Sequence, residues 1–123
     1  DIIDGKKIGT HAKPGDVFTL IGDLGVGKTV FTQGLATGLA IEEPISSPTF
    51  TIVQNYDGIS HFDLYRIEDA DELVEVGLQH AMENDITLIE WPEVADAILP
   101  ADAIHIFITE YNSGRMVIVK NIS

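Results

Sequence analysis

Cysteine is absent from the sequence, and basic residues are scarce. Without cysteine the chain can form neither a disulfide framework nor a thiolate metal site. Seven lysines and arginines stand against twenty acidic residues, which gives a net charge of −13. We expect most of such a surface to repel nucleic acids and other polyanions.

Long apolar runs are also missing from the chain. No stretch approaches the ~18 consecutive apolar residues that would span a bilayer, and the sequence does not open with a basic and then apolar signal pattern. We therefore expect a cytoplasmic protein that does not bind membranes. The 123 residues, of which 45% are hydrophobic, predict one globular domain over residues 1–123 with a single buried core.

The spacing of the apolar residues predicts strands that alternate with helices. Asp16–Ile21 and Ile86–Trp91 are apolar runs of the kind found in buried strands. Apolar residues recur at helical spacing in three further segments, which are Lys28–Ala40, Glu68–Leu78 and, with a proline in its first turn, Pro92–Leu99.

Two hairpins complete the expected elements. The strand-like runs Thr49–Tyr56 and Ser60–Tyr65 flank the residues DGI, and Ala103–Tyr111 and Arg115–Lys120 flank an NSG turn. Strands interleaved with helices predict an α/β fold with a central mixed β-sheet flanked by helices.

Residues 22–29 read GDLGVGKT and match the phosphate-loop pattern G-x-x-x-x-G-K-[ST]. A predicted strand precedes the loop and a predicted helix follows it, as the pattern requires. Gly25 and Gly27 allow the backbone to approach a phosphate, Lys28 would reach the β- and γ-phosphates, and the Thr29 hydroxyl would bind magnesium. The alternative is a glycine-rich turn that caps a helix, with a solvated lysine.

Three polar residues outside the loop are candidates for the same site. Glu90 follows TLI at the end of a predicted strand, which is the Walker-B pattern, although such a residue is often only a solvated edge residue. Asp63 lies in the apolar run HFDLY, where an acid is costly without a partner, so it is either a second site carboxylate or a hydrogen-bonded structural residue. Thr49 in SSPTF lies where a switch segment would sense the γ-phosphate, or it simply follows a Ser-Pro turn.

The remaining polar and aromatic features point less clearly to a function. Trp91, the only tryptophan, is by default a core or rim residue. The four histidines show no i, i+4 pairing, so no histidine metal site is predicted. The acidic run within residues 68–75 predicts a solvated helix face or, alternatively, a docking surface for a basic partner; its members are Glu68, Asp69, Asp71, Glu72 and Glu75.

Four motifs together carry a resemblance to a known family. GDLGVGKT, SPTF, HFDLYR and IEWPE occur in the order and approximate spacing of the TsaE family, and the similarity runs from about Gly15 to Lys120. TsaE proteins are small bacterial P-loop ATPases that are required, with partner proteins, for the threonylcarbamoyladenosine modification of tRNA. The resemblance implies a P-loop NTPase-like fold, ATP and Mg²⁺ as cofactors, and TsaD- and TsaB-type proteins as partners.

The resemblance also implies a role for each matching residue. Magnesium would be held by Thr29 and Glu90, while Asp63 and Thr49 would complete the hydrolytic site with Lys28. The implied nucleotide-binding residues are Asp23, Gly25, Val26, Gly27, Lys28, Thr29, Val30, Trp91 and Arg115.

These residues fit other functions less well than ATP hydrolysis. A small-molecule kinase would need several cations around the transferred phosphoryl group, whereas this chain has two arginines. A GTPase would need an N-K-x-D segment, which does not occur, and an interaction module with an inactive loop is disfavoured by intact Lys28, Thr29 and Glu90. The sequence thus predicts an ATPase subunit, slow unless assembled with its partners and contacting tRNA only indirectly, with the small-molecule kinase as the alternative.

Overall fold

The computed structural model describes residues 12–22, 34, 38, 53–56, 58–111 and 114–121. These residues contain six strands, which are β1 (Val17–Ile21), β2 (Val53–Tyr56), β3 (Ile59–Asp63), β4 (Ile86–Glu90), β5 (Ile104–Tyr111) and β6 (Gly114–Asn121). Two short α-helices and a 3-10 helix lie between them, α1 (Glu72–Glu75), α2 (Leu78–Asn84) and Pro92–Ile98. Of the predicted helix Lys28–Ala40, only Gly34 and Gly38 are described, and both are helical.

The six strands form one mixed sheet in the order β2-β3-β4-β1-β5-β6. Strands β3, β4, β1 and β5 run parallel, whereas β2 and β6 pair antiparallel with their neighbours β3 and β5. The predicted α/β fold with a central mixed sheet is therefore confirmed, as are the two hairpins. The four parallel strands all end at the same edge, which we call the carboxyl edge of the sheet.

Apolar side chains cover both faces of the sheet, as the unbroken apolar runs of β1 and β4 require. One face carries the buried residues Phe18, Leu20, Ile59, Ile86, Leu88 and Ile106. The other face packs against the helices, and its buried residues include Val17, Phe62, Ile89, Leu73, Leu78, Met82 and Ala95. Because side chains alternate along a strand, Leu20, His61, Asp63, Leu88 and Glu90 share the first face.

The prediction of one helix over Glu68–Leu78 is wrong, because the chain forms α1 and α2 with a break at Gly77. Gly77 adopts φ 74°, a left-handed conformation that ends one helix and starts the next. Upstream of α1, the Glu72 carboxylate accepts hydrogen bonds from the backbone N–H groups of Glu68 and Asp69, and Asp69 accepts one from Asp71. These local bonds hold residues 68–71 in turns instead of a helix.

The other helix predictions need smaller corrections. The predicted helix Pro92–Leu99 is present as the 3-10 helix Pro92–Ile98, with the proline in its first turn. Helix α2 (Leu78–Asn84) begins at the last residue of the predicted helix Glu68–Leu78, so nearly all of it was not predicted. Within the described ranges, no helix is long and apolar enough to cross a membrane.

Candidate active site

Two carboxylates lie side by side at the carboxyl edge of the sheet. Asp63 is the last residue of β3 and Glu90 is the last residue of β4, and the two are direct partners in the parallel register. Neighbouring strands lie roughly 4.8 Å apart, so these two acids share one face at short range. Like charges placed directly opposite each other repel, and a cation between them would relieve that repulsion.

Glu90 is nearly buried, at 5% exposure, and it has a histidine partner. The His61 ring Nε2 lies 2.7 Å from Glu90 Oε2, and His61 itself is 1% exposed. An ionised carboxylate only accepts hydrogen bonds, so with Glu90 ionised the donor is the N–H of a His61 ring that carries its hydrogen on Nε2. The other ring nitrogen, Nδ1, is buried without a hydrogen-bond partner among the described residues. This contact fixes one oxygen of Glu90 and so orients the carboxylate.

His61 is the site residue that the sequence interpretation missed. The four histidines lack the i, i+4 spacing of a metal site, and that spacing carries no information about a single histidine on a strand. The usable signal was the alternation of β3, which puts His61 and Asp63 on one face two residues apart. A histidine in that position lies beside the end of the neighbouring parallel strand, where Glu90 stands.

Asp63 lies where β3 turns away from the sheet. Its Oδ1 accepts a hydrogen bond of 3.0 Å from the backbone N–H of Tyr65, and the N–H of Leu64 donates to the backbone carbonyl of Glu90 at 3.0 Å. The backbone after Asp63 is therefore tied to the end of β4. This tie holds the two carboxylates at the same level of the carboxyl edge.

Strand β1 brings the start of the phosphate-loop sequence to the same place. Leu20 is the register partner of Glu90, so the chain leaves β1 at Ile21 directly beyond the level of that acid. Gly22, the first residue of the motif, has φ 150°, a conformation that favours glycine. The predicted site residues Asp23, Gly25, Val26, Gly27, Lys28, Thr29, Val30 and Thr49 lie outside the described residues.

Trp91 follows Glu90 in an unusual conformation. Its φ of 57° is the one left-handed value among the described residues other than glycine, and such a backbone costs roughly 1–2 kcal/mol in an L-residue. Trp91 is 38% exposed, and its ring packs on Tyr65 with the ring centroids 5.0 Å apart. Trp91 therefore lies on the rim of the carboxyl edge and not in the core.

Arg115 lies on the other side of the site. It belongs to β6, and its backbone pairs in register with Glu110 at the far end of β5. Since β5 extends past the end of β1, this pair lies beyond the carboxyl edge, on the side of β1 away from β4.

The donor set suits a hard divalent cation that takes part of its coordination from elsewhere. Among the described residues, no group of three or more metal-ligating side chains lies close enough to enclose an ion. Magnesium is usually held by one or two carboxylates together with water and substrate phosphates. Asp63 and Glu90, with one Glu90 oxygen already fixed by His61, fit that pattern.

Comparison with known proteins identifies the family. The sequence model of the family described as Threonylcarbamoyl adenosine biosynthesis protein TsaE matches residues 3–117, which is nearly the whole chain. This chain belongs to the TsaE family. The resemblance inferred from the four motifs is thereby confirmed.

Individual TsaE proteins are similar to it over most of their length. The tRNA threonylcarbamoyladenosine biosynthesis protein TsaE of Bacillus subtilis is 44% identical over 108 residues, covering 84% of this chain and 67% of that protein. The protein of the same name from Borreliella burgdorferi is 43% identical over 110 residues, covering 84% of this chain and 80% of the relative.

A solved structure has the same fold. The crystal structure of YdiB from Bacillus subtilis superposes with a TM-score of 0.71 at 32% identity, and the match covers 100% of this chain and 82% of YdiB. This chain and YdiB therefore share the same overall fold.

Proposed function

We propose that this TsaE-family chain is a magnesium-dependent ATP-binding and ATP-hydrolysing subunit. It would serve the threonylcarbamoyl modification of the adenosine next to the tRNA anticodon, acting in the cytoplasm and as one domain over residues 1–123. The observation that carries the proposal is the pair Asp63 and Glu90, in register at the carboxyl edge beside the strand that leads into GDLGVGKT.

The phosphate-loop sequence would bind the nucleotide at the end of β1. Backbone N–H groups from Asp23 to Val30, together with Lys28, would neutralise the β- and γ-phosphates. The Thr29 hydroxyl and the Glu90 carboxylate would hold Mg²⁺, which would supply positive charge against the negative charge of the phosphates. Glu90 suits this role because His61 fixes one of its oxygens by a 2.7 Å hydrogen bond.

Asp63 or Thr49 would position the attacking water or the water shell of the metal. Asp63 has the better support, because it is the register partner of Glu90 and the N–H of the next residue, Leu64, donates a hydrogen bond to the Glu90 backbone carbonyl. Trp91 and Arg115 would contact the nucleotide from opposite sides of β1. The role of His61 is that of a positioning residue for Glu90.

Slow turnover by the isolated chain follows from its shortage of cations. Phosphoryl-transfer sites commonly use an arginine to stabilise the transition state, and supplying one from a partner is worth about 10³–10⁵ in rate. This chain has two arginines, Arg66 and Arg115. We propose that a partner of the TsaD or TsaB type completes the site and that the partners, not this acidic chain, contact the tRNA.

Replacing each of the two carboxylates with an amide of the same shape tests whether Glu90 and Asp63 have the roles proposed for them. We expect Glu90→Gln to weaken magnesium-dependent binding of a fluorescent ATP analogue by about tenfold or more, and Asp63→Asn to slow single-turnover hydrolysis more than it weakens binding. The measurement is a magnesium titration at fixed nucleotide, followed by a hydrolysis time course.

Matched controls remove one charge far from the site. The two control substitutions are Glu83→Gln and Asp102→Asn. Glu83 lies on α2 shortly before β4 begins, and Asp102 lies shortly before β5 begins, so both exposed acids are at the edge of the sheet opposite the carboxyl edge. Both variants should titrate like the parent protein. Overlapping magnesium curves for Glu90→Gln and the parent would contradict the metal role of Glu90.

A further inference from the structure

A groove on the helical side of the sheet has no part in the proposed nucleotide site. It is a cavity of about 300 Å³ between the helix pair α1–α2 and the 3-10 helix, and its lining includes Leu73, Val74, Gly77, Val94 and Ile98. These elements pack on the face of the sheet opposite Asp63 and Glu90. We call this cavity the acidic groove, for the charges that surround it.

Two apolar side chains at the margins of the groove are exposed to solvent. Val74 is 82% exposed and Ile98 is 42% exposed at its margins, while Leu73 forms part of a buried floor. A cavity of this size lies at the small end of the range for ligand sites and has room for one or two aliphatic side chains of a partner. An apolar pocket with exposed apolar margins is typical of a surface that receives such anchor residues.

The charges around the groove restrict its occupant. Between residues 67 and 102 the chain has eleven acidic residues and neither lysine nor arginine. Seven of the eleven are exposed on or next to α1 and the 3-10 helix, which line the groove, namely Glu68, Asp69, Asp71, Glu72, Glu75, Glu93 and Asp96. A phosphate backbone or an anionic lipid surface would be repelled by this field, and a basic protein segment would be attracted.

A second copy of the same chain is also a poor occupant. In a symmetric dimer each acidic groove would face its own equivalent, which brings like charges together on a chain of net charge −13. The occupant that satisfies both the apolar floor and the acidic margin has aliphatic side chains flanked by lysine or arginine. A groove between helices receives such a segment best as an amphipathic helix with apolar residues at i, i+3, i+4 and i+7. One or two of these residues would enter the cavity, and the others would lie against its exposed apolar margins.

We propose that the acidic groove is a docking site for a basic amphipathic helix of a partner protein. The proposal does not rest on the ATPase function, because the groove and the two site carboxylates occupy opposite faces of the sheet. Docking there leaves the carboxyl edge free, so a partner can hold the chain while nucleotide binds and leaves.

The probe is a fluorescent helical peptide with leucines at i, i+3, i+4 and i+7 and lysines on both flanks. Anisotropy titration should give saturable binding, which weakens at least about tenfold when salt rises from about 0.05 to about 0.5 M. Amide chemical-shift mapping should locate the bound peptide at α1 and the 3-10 helix. Two control peptides should not bind: one with its leucines scrambled off a common face, and one with glutamates in place of the lysines.

Protein variants separate the apolar and the charge contributions. Val74→Gln combined with Ile98→Gln should weaken the peptide about tenfold or more, because both side chains are exposed at the groove and their loss leaves the core intact. The matched control Tyr65→Gln removes another exposed apolar side chain outside the groove lining and should leave peptide affinity unchanged.

Three results would overturn the proposal. The first is no binding of the basic peptide, and the second is equal binding of the glutamate peptide. The third is a concentration-dependent dimer in sedimentation that Val74→Gln abolishes, since a second copy would then occupy the groove. Binding of the ATP analogue, measured on the variant that combines Val74→Gln with Ile98→Gln, is expected to stay unchanged, so failure of this proposal and failure of the nucleotide site are distinguishable.

Discussion

Replacing His61 with leucine should destabilise the fold by leaving Glu90 buried without its hydrogen-bond donor. A hydrogen bond to a charged group contributes about 1.5–3 kcal/mol to stability. The pair is enclosed, with His61 at 1% and Glu90 at 5% exposure, so solvent cannot replace the lost donor. We therefore expect His61→Leu to lower the free energy of unfolding by about 2 kcal/mol.

His61 and Glu90 should be strongly coupled in their effect on stability. Glu90→Leu alone leaves the His61 ring buried without a partner on either nitrogen and should cost about 1–3 kcal/mol. The double variant His61→Leu/Glu90→Leu removes both polar partners and replaces them with apolar groups. It should be no less stable than either single variant, which corresponds to a coupling energy of about 2 kcal/mol.

Urea unfolding measures the coupling. Fluorescence of Trp91, the only tryptophan, follows unfolding next to Glu90. Far-UV circular dichroism tests whether the secondary structure of the whole chain is lost in the same transition. For a chain of 123 residues, a loss of about 1 kcal/mol in the free energy of unfolding lowers Tm by roughly 4 °C, so the His61→Leu variant should melt roughly 8 °C below the parent protein.

The exposed histidine His80 provides a matched control for the substitution of His61. His80→Leu changes an exposed histidine on α2 and should alter stability by no more than about 0.5 kcal/mol. If the two site substitutions are additive within about 0.5 kcal/mol, the hydrogen bond does not stabilise the fold and the reasoning fails.

Three further predictions concern the phosphate loop, a glycine and the charge of the chain. Lys28→Ala should abolish ATP hydrolysis without changing Tm, because the lysine would pair with phosphates; unchanged turnover would contradict its assignment. Gly77→Ala should lower the free energy of unfolding by about 1–2 kcal/mol in urea titrations, since φ is 74° there, with Gly77→Asn costing less; an Ala variant as stable as the parent would count against this backbone conformation. The purified chain should retain little labelled tRNA in filter binding at low or high salt, with or without ATP and magnesium; tight binding with a steep salt dependence would reveal an unrecognised basic surface.

The strands were predictable because their physical signals are local. Unbroken apolar runs marked β1 and β4, and turn residues marked the hairpin of β2 and β3. The position of Glu90 at the end of a buried strand was also readable from TLIE. The direct pairing of Asp63 with Glu90 was not, because strand order depends on packing between segments that are distant in sequence.

The helix at residues 68–78 shows where local reasoning fails. Helical spacing of the apolar residues was present, but acidic side chains bonded the nearby backbone N–H groups and Gly77 took a left-handed conformation. His61 was missed for a different reason. Its partner lies 29 residues away in sequence, so no spacing rule within one segment connects the two.

The central place of β1 has a consequence for motion. Strand β1 is paired on both sides, with β4 and β5, and its residues Val17–Leu20 are buried. Amide protons in such a strand exchange with solvent mainly through global unfolding, whereas segments at the margins of a fold open locally at much lower free energy. We expect the amides of Phe18–Leu20 to be among the slowest to exchange. The strand that leads into the phosphate-loop sequence would then stay fixed on the timescale of many catalytic cycles, and any rearrangement during turnover would begin after Ile21.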